Sequence, residues 1–148
     1  MRLARKLLSL SARQWRDLAA AQWSLWRAQW TLRHAPTGGL MGEWNAATPG
    51  EPADLRDLPR AREIGDAVRR TAVYGVTRPQ CLARSLAISR LLEREGIRGA
   101  IVRIGVRPQD QKIAAHAWVE FAGEIVGDSR AHVRGFALLA TARGAAKR

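Results

Sequence analysis

The chain has 148 residues and a mass of 16.4 kDa, enough for one hydrophobic core with an appended element. Hydrophobic residues make up 47% of it, which excludes a disordered chain, and its single cysteine excludes an internal disulfide framework and a cysteine-based zinc site. Lys and Arg outnumber Asp and Glu by 25 to 13, a net +12, so the partners to consider are anionic: nucleic acid, a membrane surface or an acidic peptide.

No nucleic-acid-binding motif accompanies that charge, and nucleic acid is not an expected partner. A lone cysteine fits a reducing, cytosolic compartment. The opening MRLARKLLSLSARQW has the basic start of a signal peptide, but Arg13 and Arg16 interrupt its apolar run and no small-residue cleavage site follows. No stretch approaches the roughly 20 apolar residues of a membrane span. A soluble or membrane-peripheral protein is the expectation.

Residues 1–34 lack Gly and Pro and read as one long helix. Leu3, Leu7 and Leu10 recur at helical spacing, as do Trp23, Trp26 and Trp30, with arginines at 2, 5, 13, 16, 27 and 33 between them. That stripe has three readings: packing on the chain's own domain, docking a partner protein, or lying in a membrane interface. Residues 35–59 are rich in Pro and Gly and read as a connection, with one helical turn at Asp54–Leu58. A second helix is expected from Arg60 to Tyr74, with Ile64, Ala67, Val68 and Ala72 on its apolar face, and it breaks at Gly75.

A third helix begins at Pro79-Gln80-Cys81, since proline suits a first turn, and ends at Gly96. Cys81, Ser85, Ile88 and Leu92 share one stripe, widened by Leu82, Leu86 and Ser89. A strand follows at Gly99–Val106, then a polar loop over Arg107–Lys112, a second strand at Ile113–Phe121 and its hairpin partner at Glu124–Gly127. Ala137–Leu139 is a short closing element. Helices followed by an antiparallel meander define an α+β fold, a cysteine-bearing helix packed on a small sheet. The expected division is a front part over residues 1–59 and a core over residues 60–148, one compact unit together.

Alternation in the second strand puts Ala115, Ala117, Val119 and Phe121 on the core face, and His116, Trp118 and Glu120 on the other. Taken alone, His116 is a structural strand residue, Cys81 a small buried hydrophobe and Asp128 a turn cap before Ser129-Arg130. Taken together they differ. Cys81 lies in the first turn of a helix, where unpaired N–H groups and the macrodipole favour a thiolate, with Arg78 and Arg84 nearby. Asp128 follows the hairpin return from His116, where its carboxylate can fix the imidazole tautomer. Cys, His and Asp in that order on helix start, strand and next strand is the arrangement of papain-like and transglutaminase-like enzymes.

The stretch CLARSLAISRLLEREGIRGAIVRIGV followed by AHAWVEFAGEIVGD resembles the transglutaminase-like cysteine-protease domain of lasso-peptide leader peptidases. It is similar to the stand-alone second B protein of clusters that split the B function between two chains, over residues 60–140. The resemblance implies Cys81 as nucleophile, His116 as general base and then acid, and Asp128 as the orienting acid. It implies removal of a leader from a ribosomally made precursor peptide, with a separate leader-recognition protein and a lasso cyclase as partners, and no metal or other cofactor. Backbone N–H of Cys81 is the natural oxyanion donor, and the Gln80 side chain is a further candidate. Trp118 either walls a substrate groove or shields the base from water. His132, four residues after Asp128, is a lesser candidate for lack of an element to fix it, and His34 is a favourable charge at a helix C-terminus. Acyl transfer to an amine and a non-catalytic basic adaptor are the competing functions, the latter docking through Trp23, Trp26 and Trp30.

Overall fold

The computed structural model describes residues 9–34 and 52–142. Three helices, α1 (Ala12–His34), α2 (Leu58–Tyr74) and α3 (Cys81–Arg94), precede the hairpin of β1 (Ile101–Gln109) and β2 (Lys112–Phe121). Then come β3 (Glu124–Val126), the single-turn helix α4 (Arg130–Val133) and β4 (Ala137–Ala142). The sheet is antiparallel throughout in the order β3-β2-β1-β4. The α+β class is therefore as expected. Leu3, Leu7 and the connection over residues 35–51 lie outside the described residues.

Local chemistry explains most of the boundaries. The Asp54 carboxylate accepts the Arg56 N–H at 2.9 Å and caps a 3₁₀ turn at Leu55–Asp57, which feeds α2 through Pro59 in its first turn. At the end of α3, Gly96 adopts a φ of +75°. Its N–H reaches the Glu93 carbonyl, and the Ile97 N–H reaches that of Leu92 at 2.9 Å. These two bonds form a Schellman cap, with buried Ile97 supplying its hydrophobic contact.

The sheet departs from expectation in extent. Arg107–Lys112 is no loop: β1 runs on to Gln109, β2 starts at Lys112, and only Asp110 and Gln111 turn, both with positive φ. Such a two-residue turn matches the strand twist but is built here without the Asn-Gly or Asp-Gly pair that marks it in a sequence. Ala115 is exposed rather than core, because this extension carries the start of β2 past the start of α3, where Cys81 lies by Ala117 and Trp118. Ala117, Val119 and Phe121 do face the core. β4 is longer than Ala137–Leu139 and pairs with β1.

α3 lies at the centre of the helical layer. Its Ser85, Ile88 and Leu92 side meets the sheet, while Ala83, Ala87 and Leu91 are buried as well. Those alanines meet α1, whose inward residues are Ala21, Ser24, Leu25 and Ala28, and the Ser24 hydroxyl donates to the Ala87 carbonyl at 3.2 Å. Small residues on both sides let the two backbones approach closely. Packing on the chain's own core is thereby excluded for the tryptophan stripe: Trp23, Trp26 and Trp30 are 57%, 54% and 60% exposed on the opposite side of α1.

Arg60 at the start of α2 ties the three helices together. Its guanidinium forks onto Asp17 of α1 at 2.7 and 2.8 Å and reaches Glu95 beyond α3 and Glu63. Arg60 and Asp17 are both largely buried, so this bidentate pair is shielded from the screening that weakens most surface ion pairs.

The tightest contact joins α2 to the chain after β3. A Cβ on Gly65 would stand 2.5 Å from Val126 Cγ1 and 2.6 Å from the Gly127 nitrogen. Gly127, with φ +76°, admits no side chain either, since Ile88 Cδ1 would lie 2.4 Å away. The variant Gly65→Ala separates two opposing effects. Helix propensity favours alanine by about 1 kcal/mol, whereas overpacking against backbone costs about 1–3 kcal/mol. Net destabilisation is expected in denaturant unfolding; a variant more stable than the parent would show that α2 and residue 127 do not meet this closely.

Candidate active site

Cys81 is the first residue of α3, following Gln80 in extended conformation. The first N–H groups of the helix have no intrahelical acceptors, so they and the dipole present positive potential at the thiol. Cys81 is partly buried and free of any disulfide. It lines a small cleft with Arg84, Ser85 and Ile88 of α3, Trp118 of β2, and Gly127 and Asp128. Arg84 thus brings its charge to the thiol's surroundings; exposed Arg78 is not part of the lining.

The Asp128 side chain makes two hydrogen bonds. Oδ2 meets His116 Nε2 at 2.6 Å, a short contact suited to an N–H donated to a carboxylate, and Oδ1 accepts the Ser129 N–H at 2.8 Å. One oxygen of Asp128 thus bonds the imidazole and the other the backbone of the following turn. Fixing Nε2 as the donor leaves Nδ1 as the nitrogen able to take a proton from a thiol. Among the hydrogen bonds of the described residues none joins Cys81 to His116, a relation that in unliganded sites often closes only with substrate bound.

His116 is 5% exposed, so the sheet face carrying it is covered and not open. The cover comes from the segment after Asp128. Ser129 Oγ accepts the His132 N–H at 3.1 Å and starts α4, which brings the His132 ring edge-on to His116 with centroids 4.5 Å apart. Phe136 lies 5.2 Å from His116, with the Arg107 guanidinium 4.5 Å above its ring. Trp118 stacks on the remaining side, nearly parallel at 6.2 Å. Gly105, opposite His116 on β1, makes room for this: a Cβ there would stand 2.9 Å from both Trp118 and Phe136.

The Trp118 indole donates to Glu120 at 3.1 Å, and Glu120 in turn accepts from Arg103 at 2.9 Å. Trp118 is thus both a wall of the cleft and a shield for the imidazole. Gln80, the N-cap of α3, is exposed and is not among the residues lining the cleft. His132 corrects the sequence-based expectation: the Ser129 cap gives it the fixed element it was expected to lack. Phe136 carried no sequence signal. His34 ends α1 with Nδ1 at 2.8 Å from the Trp30 carbonyl, consistent with a helix-terminal role.

His116, Asp128 and His132 bring one nitrogen or oxygen each within 4.8 Å of one another, the spacing of potential metal ligands among the described residues. A broader groove between α1 and α2, lined by Arg13, Asp17, Glu63 and Asp66, holds no thiol or imidazole.

Burial is the largest influence on His116 and pushes its pKa below the usual 6.5, outweighing the bond to and charge of Asp128, which raise it. A folded pKa below the unfolded one means that this group's contribution to stability is full above 6.5 and is lost as pH falls through the folded value. An NMR titration of the imidazole should show a midpoint under 6.5, and Asp128→Asn should move it lower still by removing the opposing charge. A midpoint that rises in Asp128→Asn would contradict the pairing.

Neither a curated protein nor a solved structure matches the chain. Residues 20–141 match the family model of the transglutaminase-like superfamily, a span that includes α3 with its cysteine, the β1–β2 hairpin and Asp128. A cysteine at a helix start, packed on an antiparallel sheet whose histidine is bonded by an aspartate just past β3, thus has its family: the chain belongs to the transglutaminase-like superfamily.

Proposed function

We propose that this chain is a cysteine peptidase that removes the leader from a lasso-peptide precursor, with Cys81, His116 and Asp128 as its triad. The superfamily includes cysteine peptidases and transferases alike, and the narrower reading rests on one observation. The 2.6 Å His116–Asp128 bond is built against the cleft that holds the chain's only cysteine. The resemblance of the α3–β1 and β2–β3 segments to leader peptidases supplies the substrate class.

The chemistry follows from the roles. Nδ1 of His116 takes the thiol proton, and the Cys81 sulfur attacks the scissile carbonyl carbon. The carbonyl oxygen gains negative charge opposite the N–H groups at the start of α3, foremost that of Cys81. The carbon–nitrogen bond breaks as His116 returns the proton to the departing amine, which leaves as the new N-terminus of the core peptide. Water, deprotonated by His116, then hydrolyses the Cys81 thioester and releases the leader with a free carboxylate. Asp128 holds the tautomer and stabilises the imidazolium throughout. A low His116 pKa keeps the base unprotonated near neutral pH.

The free volume of the cleft is only about 10 Å³, far below the 300–1,000 Å³ typical of small-molecule sites. A peptide does not enter so small a space and must lie across the outer surface. Delivery by a separate leader-recognition protein, with a cyclase consuming the freed amine, fits such a shallow site. Incubating precursor, recognition protein and this chain, followed by mass spectrometry, tests the proposal. Cys81→Ala should reduce leader removal by about 10³-fold or more, and His116→Ala by about 10²–10⁴-fold, both with unchanged folding. Undiminished processing by Cys81→Ala would refute the peptidase; a product joined to an added amine in place of the free carboxylate would make it a transferase.

A further inference from the structure

The exposed face of α1 plays no part in the site or the core. At about 100° per residue, Trp15, Trp23, Trp26 and Trp30 fall within an arc of roughly 80° centred opposite Ala21, Leu25 and Ala28. All four are exposed, Trp15 by 48%. The row extends for about 22 Å along the helix. Monomeric soluble proteins rarely leave a contiguous apolar strip of this kind uncovered. Beside it, Val76 is 93% exposed, in a loop whose backbone N–H is held by Gln22 of α1.

The charges along the strip are of one sign. Arg16 and Arg27 flank it on one side and Arg33 on the other, all exposed, and none is in an ion pair among the described residues. The only acidic residue of α1, Asp17, faces inward and is bound by Arg60. The surface is also convex, a helix back and not a groove. Its tryptophans keep their indole N–H groups without acceptors among the described residues. Exposed amphipathic rings bordered by exposed arginines match a lipid boundary, where rings sit at headgroup depth and guanidinium groups meet phosphates. No described helix is long and apolar enough to cross a membrane.

From this juxtaposition we infer that the outer face of α1 docks the protein on an anionic lipid bilayer, lying in its interface with Trp15, Trp23, Trp26 and Trp30 inserted and Arg16, Arg27 and Arg33 on the headgroups. The inner face stays on α3 and α2, so docking requires no unfolding of the domain. The proposal is independent of the peptidase reading, because the strip contains none of its residues.

Co-sedimentation of the full chain with vesicles tests it. Vesicles of phosphatidylcholine with 30–40% phosphatidylglycerol (about that range suffices to give a strongly negative surface) should pellet the protein, and pure phosphatidylcholine vesicles should not. Affinity should fall with added salt. The triple variant Trp23→Ala/Trp26→Ala/Trp30→Ala should bind at least about tenfold more weakly with an unchanged melting temperature. Should that variant fold poorly, Arg16→Glu/Arg27→Glu/Arg33→Glu decides, with an expected loss of about fivefold or more per arginine. No binding to the anionic vesicles overturns the proposal. So does undiminished binding by the tryptophan variant, or by the arginine variant where that one decides. If the strip binds no vesicle and its mutation instead abolishes capture of a purified leader-recognition protein, the occupant is a protein and the bilayer reading fails.

Discussion

The contact between Gly65 of α2 and Gly127 after β3 is the constraint on which the site depends. Two backbones approach more closely there than any Cβ allows, and Gly127 needs a positive φ to turn the chain at that point. The turn delivers Asp128 alongside His116, and it places Ser129 to cap α4 immediately afterwards. Ile88 of α3 closes the far side of Gly127. Thus α2, the cysteine-bearing helix and the carboxylate are registered against one another by steric exclusion, and a displacement of any one would be felt by the others.

His116 then sits between two opposed effects. Its covering of Trp118, Phe136 and His132 withdraws it from water and disfavours the imidazolium, while Asp128 favours it. Burial prevails, so the ring is held unprotonated near neutral pH, the state that the proposed base requires, with a carboxylate beside it for the moment it accepts a proton. An exposed histidine with the same partner would be held too basic for that task, and a buried one without Asp128 would be hard to protonate at all. The apolar cover and the acid act as a pair.

Much of this was legible from residue types and spacing. Helix ends were carried by the glycines at 75 and 96, and the two faces of β2 by alternation, so Ala117, Val119 and Phe121 fell correctly on the core side. The hairpin order put Asp128 beside His116. What was not legible depended on neighbours distant in sequence. The Asp110–Gln111 turn has no glycine to mark it, so the continuation of the strands through Arg107–Gln109 looked like a loop. Ala115 was misplaced by the same error. Nothing local tells that Gly105 is small so that Trp118 and Phe136 can lie over it, or that a serine cap would fix His132.

α1 was the least decidable element, and its structure shows why. A single-helix pattern reveals large apolar residues readily, and Trp23, Trp26 and Trp30 dominate any such reading. Here the core is reached by the small ones: Ala21, Ser24 and Ala28 are buried on the inner face, Ser24 bonds Ala87 of α3, and only Leu25 adds bulk. Burial of a large ring at that seam would force the two helices apart and sever the Ser24–Ala87 hydrogen bond. The tryptophans are outside because the inner face has no volume for them, not because they are polar. A helix that is apolar on both faces, with its cations at the outer boundary and its one acid turned inward to Arg60, is already committed to two environments. Its own core is one of them, and the exposed side is shaped for the other.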